Sequence, residues 1–121
     1  MLVSSRIAER MFGHTDVLVP AIKLAGLPGI SIDEKVEVID YFHILSDRHE
    51  ILFSNGAPSE SLLTEPEAMK ALSPEARREI KALFPEIENL DYEREPALFI
   101  PTGRMQKHLI ERHRKNERPV L

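Results

Sequence analysis

The sequence predicts an α+β fold in which short β-strands and a hairpin are followed by two or three α-helices. β-branched and aromatic residues concentrate between positions 36 and 55, and Asn55-Gly56 at the end of this stretch is a strong signal for a hairpin turn. In the second half of the chain, capping residues and apolar residues at helical spacing indicate helices instead.

Length and composition set the class of protein. The chain has 121 residues, of which 42% are hydrophobic, so it is long and apolar enough for one small domain with a core. It has no cysteine, which excludes disulfides, thiolate metal sites and cysteine nucleophiles from this sequence. No apolar run has the length of a signal peptide or of a membrane-spanning helix. We therefore expect a cytoplasmic protein that does not enter membranes.

The first third of the chain predicts short elements. A helix is indicated by apolar residues at helical spacing, with Ser4 or Ser5 as its N-cap and Gly13 as its end. Pro20 ends a short apolar run of the strand type. The predicted elements are a helix over residues 4–12, a strand over 17–19, a helical turn over 21–24 and an exposed strand over 30–32.

The middle and the end of the chain predict a hairpin and then helices. Residues 36–55 read as two strands interrupted at 46–48, with a tight turn into a third strand over 57–62. Thr64 to Glu67 matches a capping box, and Ser73-Pro74 is an N-cap followed by proline at the first helical position. The predicted helices run from 64 to 72, from 73 to 84 and from 103 to 115, with an acidic, proline-containing linker before the last.

The basic residues are concentrated near the end of the chain. Residues 104–118 carry a net charge of +4, against −8 for the rest. Binding of nucleic acid to such a segment would be accompanied by aromatic stacking residues, and none follows Phe99. We therefore expect a basic helix that is either solvated or docked on the acidic body. His108 and His113 point to different sides of this helix, and we expect both to be solvated.

Three residues of the hairpin region are candidates for proton transfer: His43, Asp47 and His49. On an unbroken strand they share one face, and histidine titrates near neutral pH, but the break at 46–48 weakens the alignment. From spacing alone, polar residues at the surface of a turn are the favoured explanation of this pattern. The sequence offers no third ligand with metal-site spacing, so neither a metal nor a cofactor is expected.

Longer motifs resemble the Hint domains of the hedgehog/intein superfamily. DVLVPAIKL at residues 16–24 is similar to a strand–turn segment of these domains. YFHILSDRHEILFSNGAPSES at residues 41–61 resembles the closing block of the bacterial, hedgehog-like branch, and ALFPE at 82–86 resembles the helix that follows it. The resemblance covers residues 2–87 and implies part of a β-rich horseshoe.

The resemblance also implies a chemistry, autocatalytic cleavage of a peptide bond. In the superfamily an N-terminal cysteine or serine attacks the preceding carbonyl, a Thr/Ser-x-x-His block polarises the bond, and the closing block supplies an acid/base residue. His49 matches that residue best, with His43 and Asp47 as weaker candidates. Ile7 stands where the histidine of the second block falls, and an alkyl group cannot exchange a proton.

The resulting hypothesis is that the chain corresponds to the C-terminal half of a Hint self-processing module and is inactive alone. The expected parts are a Hint-like β region at 1–62, a helical extension at 63–87 packed on it, a linker at 88–102 and a basic helical tail at 103–121. Expected partners are a separately encoded or upstream Hint half, or a second copy bound through exposed strand edges. The alternative is a small, non-catalytic protein-interaction module.

Overall fold

The computed structural model describes residues 1–89 and 92–121, and it has the predicted α+β architecture. Positions 90 and 91 of the predicted linker lie outside these residues. The described strands are β1 Leu2–Ser4, β2 Asp16–Leu18, β3 Ile51–Ser54 and β4 Ala57–Glu60. The described helices are α1 Arg6–Phe12, α2 Ala21–Leu24, α3 Pro66–Lys70, α4 Pro74–Leu83 and α5 Gly103–Lys115. A 3₁₀ turn at Pro85–Glu88 follows α4.

The first sheet pairs β1 with β2 in antiparallel register, with Val3 opposite Val17. Helix α1 connects the two strands, and its ends follow the predicted capping: Ser5 Oγ accepts a hydrogen bond from the Ala8 N–H at 3.1 Å. Gly13 ends the helix with φ of 74°, a left-handed conformation that glycine adopts without steric cost. The prediction of this helix is confirmed, whereas β1 is too short to leave a pattern in the sequence.

Helix α5 has the predicted bounds, and it packs as part of the core. Leu109 is completely buried and Ile110 nearly so, in one cluster with the buried side chains of the first sheet. The helix contacts α1 and α2. The expectation of a docked basic helix is therefore confirmed and the solvated alternative is wrong. His113 is also completely buried, which corrects its expected solvation, while His108 is exposed as expected.

The second sheet is the hairpin of β3 and β4, in which Ile51 lies opposite Glu60. Its turn is Asn55-Gly56, with φ of 49° and 79°. Two consecutive left-handed residues are what a two-residue turn needs to match the twist of its strands. The predicted hairpin is confirmed.

The two strands predicted before this hairpin are absent from the structure. Residues 30–32 and 36–45 form no strand, and no backbone group of residues 36–43 makes a hydrogen bond to any part of the chain that the structure describes. A sequence rich in β-branched residues becomes a strand only where another strand pairs with it. Large apolar side chains are consequently exposed here, among them Val38, Tyr41 and Phe42.

Helix α4 begins as predicted, because Ser73 Oγ accepts from the Ala76 N–H at 3.1 Å. The capping box predicted at Thr64 does not form. Helix α3 begins at Pro66, since proline suits the first helical turn, and the hydroxyl of Thr64 lies 3.3 Å from that of Tyr92 instead. Within residues 1–89 and 92–121, no helix is long and apolar enough to span a bilayer.

Candidate functional site

His49 lies at the base of the β3–β4 hairpin, where hydrogen bonds extend the ladder by one residue pair. The Glu50 N–H donates to Ser61 Oγ at 2.9 Å, and the Ser61 N–H donates to the Glu50 carbonyl at 2.9 Å. The turn before the strand is closed by Ser46 Oγ, which donates to the Arg48 carbonyl at 2.7 Å. These bonds fix the backbone on both sides of His49, whose side chain is fully buried.

Both ring nitrogens of His49 have a partner. Nε2 lies 2.9 Å from Glu60 Oε2, and the backbone N–H of Ala97 donates to Nδ1 at 2.9 Å. Because an N–H group can only donate, Nδ1 accepts and carries no proton. The ring is therefore assigned as the tautomer with hydrogen on Nε2, which donates to the Glu60 carboxylate. Burial and these two bonds hold the imidazole in one orientation.

Glu60 connects the buried histidine to the surface, since about a third of its side chain is exposed. Its other carboxylate oxygen lies 4.0 Å from the amino group of Met1, which donates to the Val19 carbonyl at 3.0 Å. Burial lowers the pKa of this amino group below its ordinary value, and the charge of Glu60 opposes part of that shift. Glu60, which accepts the hydrogen bond from His49, thus also forms the ion pair with the Met1 amine.

The segment of residues 92–99 covers the site. Besides the N–H of Ala97, it contributes Arg94, whose guanidinium donates to the Ser46 carbonyl and, at 3.4 Å, to Thr64 Oγ1. The Leu18 N–H donates to the Phe99 carbonyl at 2.9 Å, which attaches the end of this segment to β2. These contacts attach the described part of the predicted linker to β2 and to residues that flank the second sheet.

The three predicted site residues do not form one cluster. His43 and Asp47 are exposed, and within the described ranges neither side chain makes a hydrogen bond. His43 lines an open groove together with Met1 and Glu60, whereas Asp47 lines a separate one beside His49. No group of three His, Asp or Glu side chains that would suit a metal ion occurs among the described residues.

Glu60 is the site residue that the sequence prediction missed, although the sequence carried a signal for it. A two-residue Asn55-Gly56 turn sets Ile51 opposite Glu60. His49 lies two residues before Ile51 and shares its face of the strand, so Glu60 is its diagonal neighbour across the hairpin. The partner on Nδ1, the N–H of Ala97, is 48 residues away in the chain and has no local signal.

A family model described as Hint domain matches residues 1–66. The chain belongs to the Hint domain family. No curated protein and no solved structure matches the chain. The match confirms the resemblance at the level of the Hint superfamily.

The Hint match includes both strand pairs and the His49–Glu60 pair. Residues after the match also contact the site: the Ala97 N–H donates to His49, and the Arg94 guanidinium donates to the Ser46 carbonyl. Ile7, at the position where the resemblance places a histidine, is half-buried against the core. Its side chain offers no proton to a peptide bond.

Proposed function

We propose that this Hint chain supplies the acid/base part of a self-processing centre, corresponding to the C-terminal half of a module of the bacterial hedgehog-like branch. The observation that carries the proposal is the buried His49 bonded to Glu60 at 2.9 Å, with Met1 beside it. A polypeptide joined to Met1 enters next to this pair, since Met1 and Glu60 line the same groove.

Cleavage of a peptide bond requires two proton transfers beside the His49–Glu60 pair. When a hydroxyl or thiol attacks a peptide carbonyl, its proton must leave, and the departing amine must receive one. Glu60 is partly exposed, and the Nε2–H of His49 holds one of its carboxylate oxygens in place. The other oxygen, Oε1, faces Met1 and can accept the proton of the attacking group and then give it to the departing amine. We assign Glu60 the contact with the reacting peptide and the proton transfer, and His49 the orientation of the Glu60 carboxylate.

The nucleophile comes from a second part of the module. The 121-residue sequence has no cysteine, and Ile7 replaces the polarising histidine. We therefore expect this chain alone to leave an upstream peptide intact, and to act only with a nucleophile-bearing first part that is upstream or separately encoded.

Residues 36–43 form the surface that we assign to that first part. Their backbone groups are without partners in the described chain, and their apolar side chains, such as Val38 and Phe42, are largely exposed. Extended backbone with free N–H and C=O groups pairs readily with an added strand. Pairing there would cover the apolar side chains and bring the first part to the groove that contains His43, Met1 and Glu60.

The test is a cleavage assay on two fusions. In one, a reporter is joined directly to Met1; in the other, the reporter is followed by the cysteine-bearing first part of a Hint domain and then by Met1. We expect only the second to release its reporter. Cleavage of the first, or no cleavage of the second, would contradict the proposal.

Variants of the second fusion test the residue roles. Replacing His49 by alanine or Glu60 by glutamine should slow release about a hundredfold or more, the range of general acid–base contributions. His108→Ala and Glu50→Gln are matched controls, because both residues are exposed and lie outside residues 36–43 and outside the groove that Met1 and Glu60 line. We expect these controls to cleave at the unmodified rate.

One observation favours the alternative, a non-catalytic interaction module. The N–H of Ala97 occupies the only ring nitrogen of His49 that could accept a proton. If the histidine is purely structural, His49→Ala and Asp47→Ala leave partner binding unchanged, whereas charge changes in residues 36–43 abolish it. Binding without cleavage in the second fusion would select this alternative.

A further inference from the structure

A second histidine is bonded to a serine on the side of the chain where α5 meets α1. Ser5 Oγ lies 3.0 Å from His113 Nε2, and His113 Nδ1 lies 3.0 Å from the Arg118 carbonyl oxygen. A carbonyl only accepts, so Nδ1 carries the proton of the neutral ring. Nε2 is then an acceptor, and the Ser5 hydroxyl donates to it. Nothing in the proposed Hint chemistry uses these residues.

A serine hydroxyl becomes reactive when it donates to a histidine ring whose other nitrogen donates to an oxygen, as Ser5, His113 and Arg118 do here. The base on the ring faces the hydroxyl, and the opposite N–H is held by an oxygen that orients the imidazole. His113 is completely buried, which protects the orientation, while Ser5 is half-buried and opens onto a groove. Ser5 Oγ also accepts the Ala8 N–H at 3.1 Å, a bond that becomes stronger as the oxygen loses its proton.

The groove in front of Ser5 is positively charged. Arg6, Arg10 and Arg118 line it, and in the described part of the chain none of the three guanidinium groups forms an ion pair. Guanidinium groups stay charged at all ordinary pH values and bind carboxylates in a planar, two-bond geometry. The field of the groove therefore favours a substrate that bears a carboxylate.

We propose that Ser5 and His113 form a second site, which hydrolyses small esters whose acyl part carries a carboxylate. Ser5 Oγ forms a bond to the acyl carbon while its proton moves to His113 Nε2. The ester C–O bond breaks, and the proton passes from His113 to the departing alcohol oxygen. Water then attacks the acyl-serine and gives a proton to His113, which returns it to Ser5 Oγ as the acid leaves. The Arg118 carbonyl holds Nδ1–H throughout.

The test uses the full chain and two 4-nitrophenyl esters, the terephthalate monoester, whose carboxylate cannot reach its own ester group, and the neutral benzoate. We expect hydrolysis of the terephthalate monoester to be faster by about tenfold, because solvent weakens but does not abolish the attraction between its carboxylate and the guanidinium groups. Arg10→Ala should reduce this preference several-fold without abolishing hydrolysis. Equal rates for the two esters would overturn the substrate class.

Two serine variants separate the nucleophile from the helix cap. Ser5→Asn retains a capping side chain and removes the hydroxyl, so we expect it to fold and to lose hydrolysis. Ser4→Ala, at the neighbouring half-buried serine, should keep the full rate. Wild-type hydrolysis no faster than that of Ser5→Asn would show that the pair only joins α5 to α1.

Covalent labelling tests the reactivity of Ser5 in the unmodified chain, so its result does not depend on whether a variant folds. A fluorophosphonate reacts with an activated serine, and peptide mapping of the labelled wild-type chain identifies the position. We expect stoichiometric labelling at Ser5. An unlabelled chain, or a label on another serine such as Ser4, would overturn the proposal.

Discussion

Replacing Leu109 by alanine tests whether the basic helix α5 belongs to the core. Leu109 is completely buried, in a cluster with Val3, Val17 and Leu24. Removing a leucine side chain from such a position costs about 2–5 kcal/mol of unfolding free energy, and the upper part of the range applies where the neighbours cannot collapse into the space. The strands and helices around Leu109 are held by their own hydrogen bonds, so we expect about 3 kcal/mol.

That loss is large for a chain of this size, whose total stability is of the order of 6–18 kcal/mol. We expect urea unfolding, followed by far-ultraviolet circular dichroism, to give a lower midpoint with an unchanged slope, and the melting temperature to fall by about 10–15 °C. Lys107→Ala, at an exposed position of the same helix, is the control and should stay within about 0.5 kcal/mol of the unmodified chain. A loss for Leu109→Ala within the same margin would refute the packing of α5 in the core.

Three smaller perturbations test local features. Gly56→Ala should lose about 1–2 kcal/mol in urea unfolding, because φ of 79° strains any side chain; a loss of only a few tenths would contradict the turn geometry. Ser73→Ala should lose about 1 kcal/mol and Ser73→Asp much less, since aspartate also caps the Ala76 N–H; equal losses would argue against the cap. Burial lowers the pKa of the Met1 amine from 8.0, so the folded chain binds this proton less tightly than the unfolded chain. Unfolding free energy should therefore rise with pH between the lowered pKa and 8.0, as followed by urea midpoints, and acetylation of the amine should remove that rise. A rise that survives acetylation would place its origin elsewhere.

Local chemistry made much of the fold predictable. The caps at Ser5 and Ser73, the turn at Asn55-Gly56 and the bounds of α5 depend on interactions within a few residues, and the structure confirms them. The same reasoning fails over residues 36–45, because β propensity describes how a residue fits beside a partner strand. The described chain provides no such strand, so the propensity has no structural effect there.

In the candidate site, too, local contacts were predictable from the sequence and distant ones were not. The diagonal between His49 and Glu60 follows from the hairpin register and was within reach of the sequence. The burial of His113, which was expected to be solvated, also had a signal in the sequence, since Gln106, Leu109, Ile110 and His113 follow helical spacing on the face that α5 buries. By contrast, the contact of the Ala97 N–H with His49 depends on how a long irregular segment crosses the hairpin. Spacing along the sequence contains no information about that path.

The most direct test of the central claim compares two histidine variants in the fusion that carries the nucleophile-bearing first part upstream of Met1. His49 is buried and bonded to Glu60, whereas His108 is exposed on α5, lies outside the groove that Met1 and Glu60 line, and makes no side-chain hydrogen bond within the described residues. We predict that His49→Ala slows release of the reporter about a hundredfold or more relative to His108→Ala. Equal rates for the two variants would contradict it.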